Sequence, residues 1–319
     1  MRSKYLIGNR KIAIIGVGYV GASIAYALVL KDIAREIVLI DIDQDKVVGE
    51  VFDIRHGIPS MGTADIYMGS YADCTDCDLI IITAGRGRRS GESRLDLANE
   101  NSRIMKDVVK SIMKYYTRGV VMVVSNPVDI LTFKVAKWMD LTNGTVFGTG
   151  CMLDTSRLVR TIADYLNLST GVINGHVIGE HGDNQIPIWS NVTIAGIPIS
   201  EYCEDAGILW DREIRHQLEM KTKAMGADII NAKGRTHYGI ATCVCHLADA
   251  IINQRPTIES VSSPIEWESG FPEYALSVPS VVGPSGIQQR VREKWNDEEY
   301  NQFALARLKM LEVLSQIVD

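Results

Sequence analysis

The sequence contains no apolar run approaching the roughly 20 residues that a bilayer-spanning helix needs. Its basic start, MRSKYLIGNRKIAII, is interrupted by polar residues before an apolar stretch of signal-peptide length can form. Cysteine is scarce too, because only six are spread over 319 residues. That number fits reduced thiols better than a disulfide framework. We therefore expect a cytoplasmic protein without a membrane anchor.

Positive charge is not in excess, because 33 Lys and Arg face 39 Asp and Glu, for a net charge of −6. A general binder of nucleic acid or acidic membranes would carry surplus Lys and Arg, so both classes are disfavoured. Cys74 and Cys77 form a lone CxxC without a second pair or a histidine beside it. We predict no metal site there and interpret the CxxC as a surface turn.

The first half alternates apolar runs with helical patterns. The runs are nearly continuous rather than strictly alternating, which is typical of parallel strands covered on both faces. Strand–helix repetition of this kind predicts an α/β fold with a doubly wound parallel sheet, which we assign to a domain at 1–150. Predicted strands lie at 11–16, 36–41, 65–69, 78–84, 119–125 and 145–150, and predicted helices at 20–31, 44–56, 93–116 and 128–139.

The second half, 151–319, has a different pattern and predicts an α+β substrate or catalytic domain. We expect a strand at 172–179 and a hairpin near 274–287 with Gly-Pro-Ser-Gly as its turn. Helices are predicted at 152–167, 205–231, 237–253 and 297–317, the last with Ala304, Leu308 and Leu311 on one face.

The segment GVGYVG (16–21) lies between a predicted strand and a predicted helix. Gly16 permits the tight turn, Gly18 lets a pyrophosphate approach the backbone, and Gly21 allows close packing of helix and strand. Asp41, twenty residues after Gly21, ends the next strand and suits an adenosine ribose, with Asp43 as the alternative. No arginine follows to bind a 2′-phosphate, so the motif favours NAD over NADP; a glycine turn without ligand is the other interpretation.

A candidate acid–base group lies in the second half. His181 stands in GEHGD, between Gly179 and Gly182, on a turn that follows a predicted strand. Asp154 and Arg157 are three residues apart and therefore share one helical face. Asp154 is suited to orient an imidazolium and Arg157 to grip a carboxylate. Spacing alone leaves open a structural ion pair beside an unrelated histidine.

Seven ordered blocks of the chain resemble the L-lactate/malate dehydrogenase family over nearly its full length. They are GVGYVG (16–21), LIDIDQDKVVGE (39–50), GESRLDL (91–97), SNPVD (125–129), LDTSR (153–157), GEHGD (179–183) and GRTHYGIA (234–241). The resemblance implies a Rossmann domain followed by a catalytic domain. It also implies NAD as cofactor and reversible hydride transfer between NADH and a 2-oxo acid.

The resemblance also implies site roles. It makes His181 the general acid paired with Asp154, Arg157 the ligand of the substrate's C1 carboxylate, and Arg94 the polariser of the carbonyl on a mobile loop. Asn126 is implied near the reacting oxygen, and Thr236 and Ile240 beside substrate and nicotinamide. These roles suit the chemistry, because charge develops on the keto oxygen as the adjacent carbon is reduced.

The stretch RGRRSGESR (86–94) puts four arginines into nine residues. Arg88 falls where lactate dehydrogenases carry glutamine and malate dehydrogenases carry arginine, so it predicts a preference for malate and oxaloacetate. Lactate and pyruvate are the alternative, since GEHGD, YGIA and Thr236 resemble the residues that lactate dehydrogenases carry at these positions. Arg86 and Arg89 are interpreted as solvated loop charges that attract dianions, or, for Arg89, as a second carboxylate contact.

Other expectations concern partners and rival functions. The resemblance implies a homo-oligomer, a dimer or a homotetramer, that acts on a small molecule. An activating sugar bisphosphate is not expected, because the positions that would bind it hold Val159 and Asn174, although Arg160 is adjacent. A dehydrogenase for bulkier 2-oxo acids and a non-catalytic nucleotide-binding protein are the remaining alternatives.

Overall fold

A computed structural model describes residues 10–87, 91–266 and 272–317. Its first half follows the predicted alternation closely. The elements are β1 (Lys11–Ile15), α1 (Tyr19–Leu30), β2 (Glu36–Ile40), α2 (Gln44–Met61), β3 (Asp65–Met68), β4 (Leu79–Ile82), α3 (Arg94–Met113), β5 (Val120–Val123), α4 (Val128–Met139) and β6 (Val146–Gly148).

The strands of the first half pair in the order β3-β2-β1-β4-β5-β6. All five of these pairings are parallel. The order reverses between β1 and β4, and ligands of such sheets bind at the carboxyl ends of the strands beside this switch point. The prediction of a doubly wound Rossmann sheet is confirmed.

Strand β1 shows why these runs are apolar on both faces. Ile12 and Ile14 enter a core shared with helices α1 and α2, whereas Ala13 and Ile15 enter a second core shared with α3 and α4. None of the four side chains is more than 2% exposed. Burial on both sides removes the polar alternation that a half-exposed strand would show.

The second half joins the same sheet. Strand β12 pairs antiparallel with β6, and β13, β8 and β9 extend the order, so the described residues form an eleven-stranded sheet. The elements are α5 (Met152–Leu166), β7 (Ile173–Asn174), β8 (Val177–Gly179), β9 (Gln185–Pro187), β10 (Thr193–Ile194), β11 (Ile197–Pro198), α6 (Ile199–Asp205), α7 (Arg212–Lys233), α8 (Tyr238–Ile252), β12 (Thr257–Glu266), β13 (Pro272–Gly283), β14 (Gly286–Arg290) and α9 (Asp297–Gln316).

The structure departs from the predicted elements at four places. The strand predicted at 172–179 is divided, because β7 joins a small sheet with β10 and β11 while β8 joins the large one. Of the helix predicted at 205–231, only the part from Arg212 onward is helical, as α7, because α6 ends at Asp205; β12 was not predicted. On α9, Leu311 of the predicted apolar face packs against the core, but Leu308 is 56% exposed, and the fully core-facing residues include Phe303 and Met310.

The CxxC is not a surface turn. Cys74 and Cys77 lie in and just after a short 3-10 helix, and both side chains are fully buried in the core that also contains Ile80. Burial raises the pKa of the Cys74 thiol to about 11 and that of Cys77 to about 12. Both groups are therefore protonated apolar filling, not reactive thiolates.

The described ranges show neither a membrane-spanning helix nor a metal-binding cluster. No helix there combines the length and the apolar character that crossing a bilayer requires. Nor do three or more His, Cys, Asp or Glu side chains of these residues come together in a group that would hold a metal ion.

Candidate active site

The glycine-rich turn connects β1 to α1 at the carboxyl edge of the sheet. Gly16 has φ +98°, and a Cβ there would lie 2.5 Å from the backbone nitrogen of Ala84, so a side chain is excluded. A Cβ on Gly21 would collide with the carbonyl oxygen of Gly16, whereas one on Gly18 would meet nothing within 4 Å. The turn is thus closed on its inner side and open above Gly18.

Helix α1 begins directly at this open side. Its N-cap, Gly18, supplies no side-chain hydrogen bond, and the first turn contains no acidic residue. The free N–H groups and the positive end of the helix dipole therefore remain available to an anion. These features fit the diphosphate of a dinucleotide.

Asp41 follows β2 beside the same turn. Its Oδ2 accepts a hydrogen bond from the Val17 N–H at 2.5 Å, and its Oδ1 accepts one from the Asp43 N–H at 3.1 Å. Asp43 is instead the N-cap of α2, where its Oδ1 accepts from the Lys46 N–H at 3.2 Å. Asp41 is therefore better placed than Asp43 to meet a ribose next to the glycine turn.

His181, Asp154 and Arg157 come together although they belong to two separate segments. Asp154 lies in the first turn of α5, and His181 follows β8 on the glycine-flanked turn. The Nδ1 atom of His181 is 2.6 Å from Asp154 Oδ2, and Arg157 Nη1 donates to Asp154 Oδ1 at 3.1 Å. The histidine is therefore not unrelated to the ion pair, and its Nε2 atom remains for another partner.

The two partners shift each other's proton affinity. Burial opposes protonation of His181, but the Asp154 charge and its hydrogen bond outweigh burial and raise the pKa of His181 above 6.5. Burial likewise opposes ionisation of Asp154, yet the charges of His181 and Arg157 prevail and lower its pKa below 3.8. The pair thus favours the imidazolium more strongly than a free histidine does.

A second buried carboxyl group contacts His181, and the sequence analysis missed it. Asp129 lies in the first turn of α4, is 2% exposed, and accepts a hydrogen bond from the backbone N–H of His181 at 2.8 Å. Burial raises the pKa of Asp129 to about 7. The signal was present, since Asp129 ends the SNPVD block, but only Asn126 of that block was assigned a role.

Asn126 precedes α4 and is anchored through its backbone. Its carbonyl oxygen accepts a hydrogen bond from Asn101 Nδ2 at 2.7 Å, and its own Oδ1 accepts from the Val128 N–H at 3.3 Å. The same Asn101 side chain accepts from the Arg86 N–H at 3.0 Å. Asn101 on α3 therefore fixes Asn126 and the start of the arginine-rich loop relative to each other.

Arg86 is not the solvated loop charge that the sequence suggested. Its guanidinium pairs with the carboxylates of Glu92 and Glu100, and its side chain is only 18% exposed. These hydrogen bonds raise the pKa of Arg86 above its ordinary value. Because two carboxylates neutralise it, Arg86 contributes little to long-range attraction of an anionic substrate, and it ties together the two ends of the loop instead.

Thr236 and Arg157 line one cleft of about 270 Å³. Its other lining residues are Leu153, Met225, Asp228, Ile229 and Gly239. The cleft thus places an acid, Asp228, near the arginine that would bind a carboxylate. Ile240 is partly buried and packs against the core beneath α1.

The remaining predicted residues belong to the arginine-rich loop. Arg94 is the first residue of α3, whose N-cap Ser93 forms a capping box with Asp96. This cap sets where the helix begins and hence where the backbone of Arg94 lies. Arg88 and Arg89 lie outside the described residues.

Comparison with known proteins matches both halves of the chain. Residues 10–148 match the model of the lactate/malate dehydrogenase NAD-binding domain, and residues 151–319 match that of the alpha/beta C-terminal domain. The chain belongs to the lactate/malate dehydrogenase family. It is therefore an NAD-dependent oxidoreductase acting on CH–OH groups, and the interpretation as a non-catalytic nucleotide-binding protein was wrong.

Similar proteins of known name are lactate dehydrogenases. The L-lactate dehydrogenase of Thermoanaerobacter pseudethanolicus is 39% identical over 97% of this chain and 98% of its own. That of Priestia megaterium is 36% identical over 95% of each. Among solved structures, the minor L-lactate dehydrogenase of Enterococcus mundtii has a TM-score of 0.92 at 34% identity, covering 97% of this chain and 99% of that one.

Proposed function

We propose that this enzyme interconverts pyruvate and L-lactate. The observation that carries the proposal is that relatives and solved structures matching more than nine-tenths of the chain bear the name lactate dehydrogenase. The preference for malate that Arg88 suggested is not supported by these relatives. It remains a second candidate for one reason, the arginine at the specificity position.

His181 is the proposed proton donor to the keto oxygen. With Nδ1 held by Asp154 at 2.6 Å, the Nε2–H of the imidazolium is the group left for the substrate. Asp154 stabilises the cation before the reaction and loses part of that interaction when the proton leaves. In lactate oxidation the neutral imidazole accepts the proton back. The bound nicotinamide supplies or accepts the hydride.

Arg157 and Arg94 are the proposed substrate-orienting cations. Arg157 is 13% exposed, and its Nη1 donates to Asp154. The other N–H groups of its guanidinium remain available to bind a substrate carboxylate. Arg94 is the proposed polariser of the carbonyl, with Asn126 near the same oxygen. Thr236 and Ile240 are the proposed contacts of the substrate side chain and the nicotinamide.

Charge in the cleft bears on the choice between a monoacid and a diacid. Asp228 lines the cleft together with Arg157 and Thr236, so a second substrate carboxylate there would meet a like charge. This repulsion favours pyruvate. Arg88 would oppose this preference only if its guanidinium lay unpaired in the closed site, where it would cost the pyruvate complex about 1–3 kcal/mol.

The deciding experiment compares kcat/KM for pyruvate and oxaloacetate with NADH, in the wild type, Arg88→Gln and the neighbouring control Arg89→Gln. We expect the wild type to prefer pyruvate. We also expect Arg88→Gln, like the control, to change the ratio less than about threefold. A wild-type preference for oxaloacetate that Arg88→Gln reverses and Arg89→Gln does not would establish the malate interpretation instead.

We also propose a homo-oligomeric, cytoplasmic enzyme that no sugar bisphosphate activates. Val159 on α5 is half-buried and Asn174 on β7 is exposed, and neither carries the positive charge that a phosphate group requires. Mass measurement by light scattering tests the oligomer. Assays with and without fructose 1,6-bisphosphate test the second point, and a clear activation would refute it.

A further inference from the structure

A turn of the second half lies against the start of helix α1. This turn, residues 234–237, connects α7 to α8 and begins with Gly234 at φ +82°. His237 Nδ1 is 3.0 Å from the Ser23 hydroxyl oxygen on α1, and the rings of His237 and Tyr19 are 5.9 Å apart. The turn is therefore fixed beside the glycine-rich segment that begins the dinucleotide site.

Arg235 extends from this turn over the ring of Tyr19. The guanidinium carbon is 3.7 Å from the ring centroid, and Tyr19 directly follows Gly18 and is 59% exposed. Stacking uses the flat face of a guanidinium and leaves its edge N–H groups free. Within the described ranges, Arg235 donates no hydrogen bond and pairs with no carboxylate.

Two lysines lie near the same rings. Lys46 Nζ is 5.7 Å from the Tyr19 centroid, and Lys233 Nζ is 4.3 Å from that of Tyr238. Neither lysine forms an ion pair with any residue that the structure describes. Burial, together with Lys233 and Arg235, lowers the pKa of His237, which therefore stays neutral at pH 7. Among the described residues, no carboxylate therefore forms an ion pair with Arg235, Lys46 or Lys233.

An anion is the natural partner of such charges, and the adjacent α1 N-terminus is uncapped and free of acidic residues. We propose that Arg235 is a cofactor-binding residue whose guanidinium edge holds the diphosphate of the dinucleotide while its face stays on Tyr19. The α7–α8 turn then contributes a cation from the second half to the diphosphate site, whose glycine turn and helix N-terminus belong to the first half. The proposal does not depend on whether pyruvate or oxaloacetate is the substrate.

The test compares ligands that contain or lack the diphosphate. Dissociation constants of NADH, ADP-ribose and adenosine are measured by fluorescence or calorimetry, without substrate, for the wild type, Arg235→Ala and Arg235→Lys. We expect Arg235→Ala to weaken NADH and ADP-ribose about tenfold at low salt and to leave adenosine unchanged. Arg235→Lys retains part of the affinity, because it keeps the charge without the planar fork.

Arg255→Ala is the matched control, since Arg255 is an exposed arginine just beyond the opposite end of α8. The loss caused by Arg235→Ala is expected to shrink at about 1 M salt, where the screening length is about 3 Å. Equal weakening of ADP-ribose and adenosine, no weakening of either, or the same loss in the control would overturn the proposal. Each of these results is obtained whether or not the enzyme reduces pyruvate.

Discussion

Two histidines beside the proposed site, His181 and His237, have opposite surroundings. His181 contacts the carboxylate of Asp154 at 2.6 Å and its pKa is raised. His237 Nδ1 lies 3.0 Å from the Ser23 hydroxyl oxygen, and burial together with Lys233 and Arg235 lowers the pKa of His237. Relative to a free histidine, the first site therefore favours the imidazolium and the second the neutral ring.

The difference shows that burial alone does not decide which histidine handles protons. Burial opposes the cation in both places, and it is the largest single influence on each pKa. The sign of the neighbouring charge decides the outcome, because an adjacent anion outweighs burial at His181 and adjacent cations reinforce it at His237. The proposed proton chemistry at His181 fits the first environment, and neutral hydrogen bonding fits the second.

The largest effect on the difference between the two histidines is expected from Asp154→Asn, which removes the negative charge beside His181 and keeps the shape of the side chain. We expect kcat for pyruvate reduction to fall about 10²–10⁴-fold, because the pKa of His181 falls and the imidazolium loses its support. Rates measured against pH provide the check, since the decline of the reduction rate with rising pH should move to lower pH.

The same variant makes a prediction for stability. The raised pKa of His181 stabilises the fold below pH 6.5, and this is lost as pH rises through the folded-state value. The lowered pKa of Asp154 stabilises it above pH 3.8, and this is lost as pH falls through the folded-state value. Asp154→Asn should therefore lower the free energy of unfolding most between pH 3.8 and pH 6.5. Asp164→Asn, at an exposed site of the same helix, serves as the control. If Asp164→Asn lost as much kcat for pyruvate reduction as Asp154→Asn, that result would contradict the role of Asp154.

Much of the fold could be predicted from the sequence because neighbouring residues in the chain determine it. Strands buried on both faces are continuous apolar runs, and the turn at Gly16 needs a positive φ that glycine alone adopts readily. The Asp154–Arg157 pair follows from helical spacing. Its meeting with His181 does not, since 27 residues separate His181 from Asp154 and only the folded sheet joins them.

The failures share a cause, which is that they depend on what packs against a segment. Cys74 and Cys77 form a polar-looking turn in sequence but fill a core, and Arg86 belongs to a charged loop but is neutralised by two glutamates. Strand β12 carries serines at positions that are fully buried, including Ser260 and Ser262, so its apolar pattern is weak. Glu92 and Glu100 lie near Arg86 in the sequence, but only the fold brings their carboxylates onto its guanidinium and buries the two cysteines.

A smaller effect is expected from Asp129→Asn, which sharpens the contrast by removing the other carboxyl group at His181. Burial raises the pKa of Asp129 from 3.8 to about 7, so ionisation favours the unfolded chain as pH rises through this interval. Asparagine does not ionise, and its oxygen still accepts the His181 N–H. Relative to wild type, the variant should therefore gain more than about 1 kcal/mol of unfolding free energy between about pH 5 and about pH 8.

Urea denaturation at the two pH values measures this gain, and Asp129→Ala separates the charge from the hydrogen bond. The alanine variant also lacks the ionisation but leaves the His181 N–H without its acceptor. It should therefore show the same pH trend with a lower stability throughout. A stability difference between Asp129→Asn and wild type that does not change with pH would show that Asp129 is already ionised in the folded protein at low pH.

The smallest effect is expected at the other histidine, from Lys233→Gln. Removing this cation should raise the pKa of His237 towards 6.5, as followed by NMR titration of the ring protons, while the pKa of His181 stays unchanged. Because the lowered pKa of His237 costs stability as pH falls through 6.5, the variant should lose less stability on acidification than the wild type. Lys221→Gln, one exposed lysine of the same helix, is the control. If the pKa of His237 stayed fixed in Lys233→Gln, burial and Arg235 would hold this ring neutral without a contribution from Lys233.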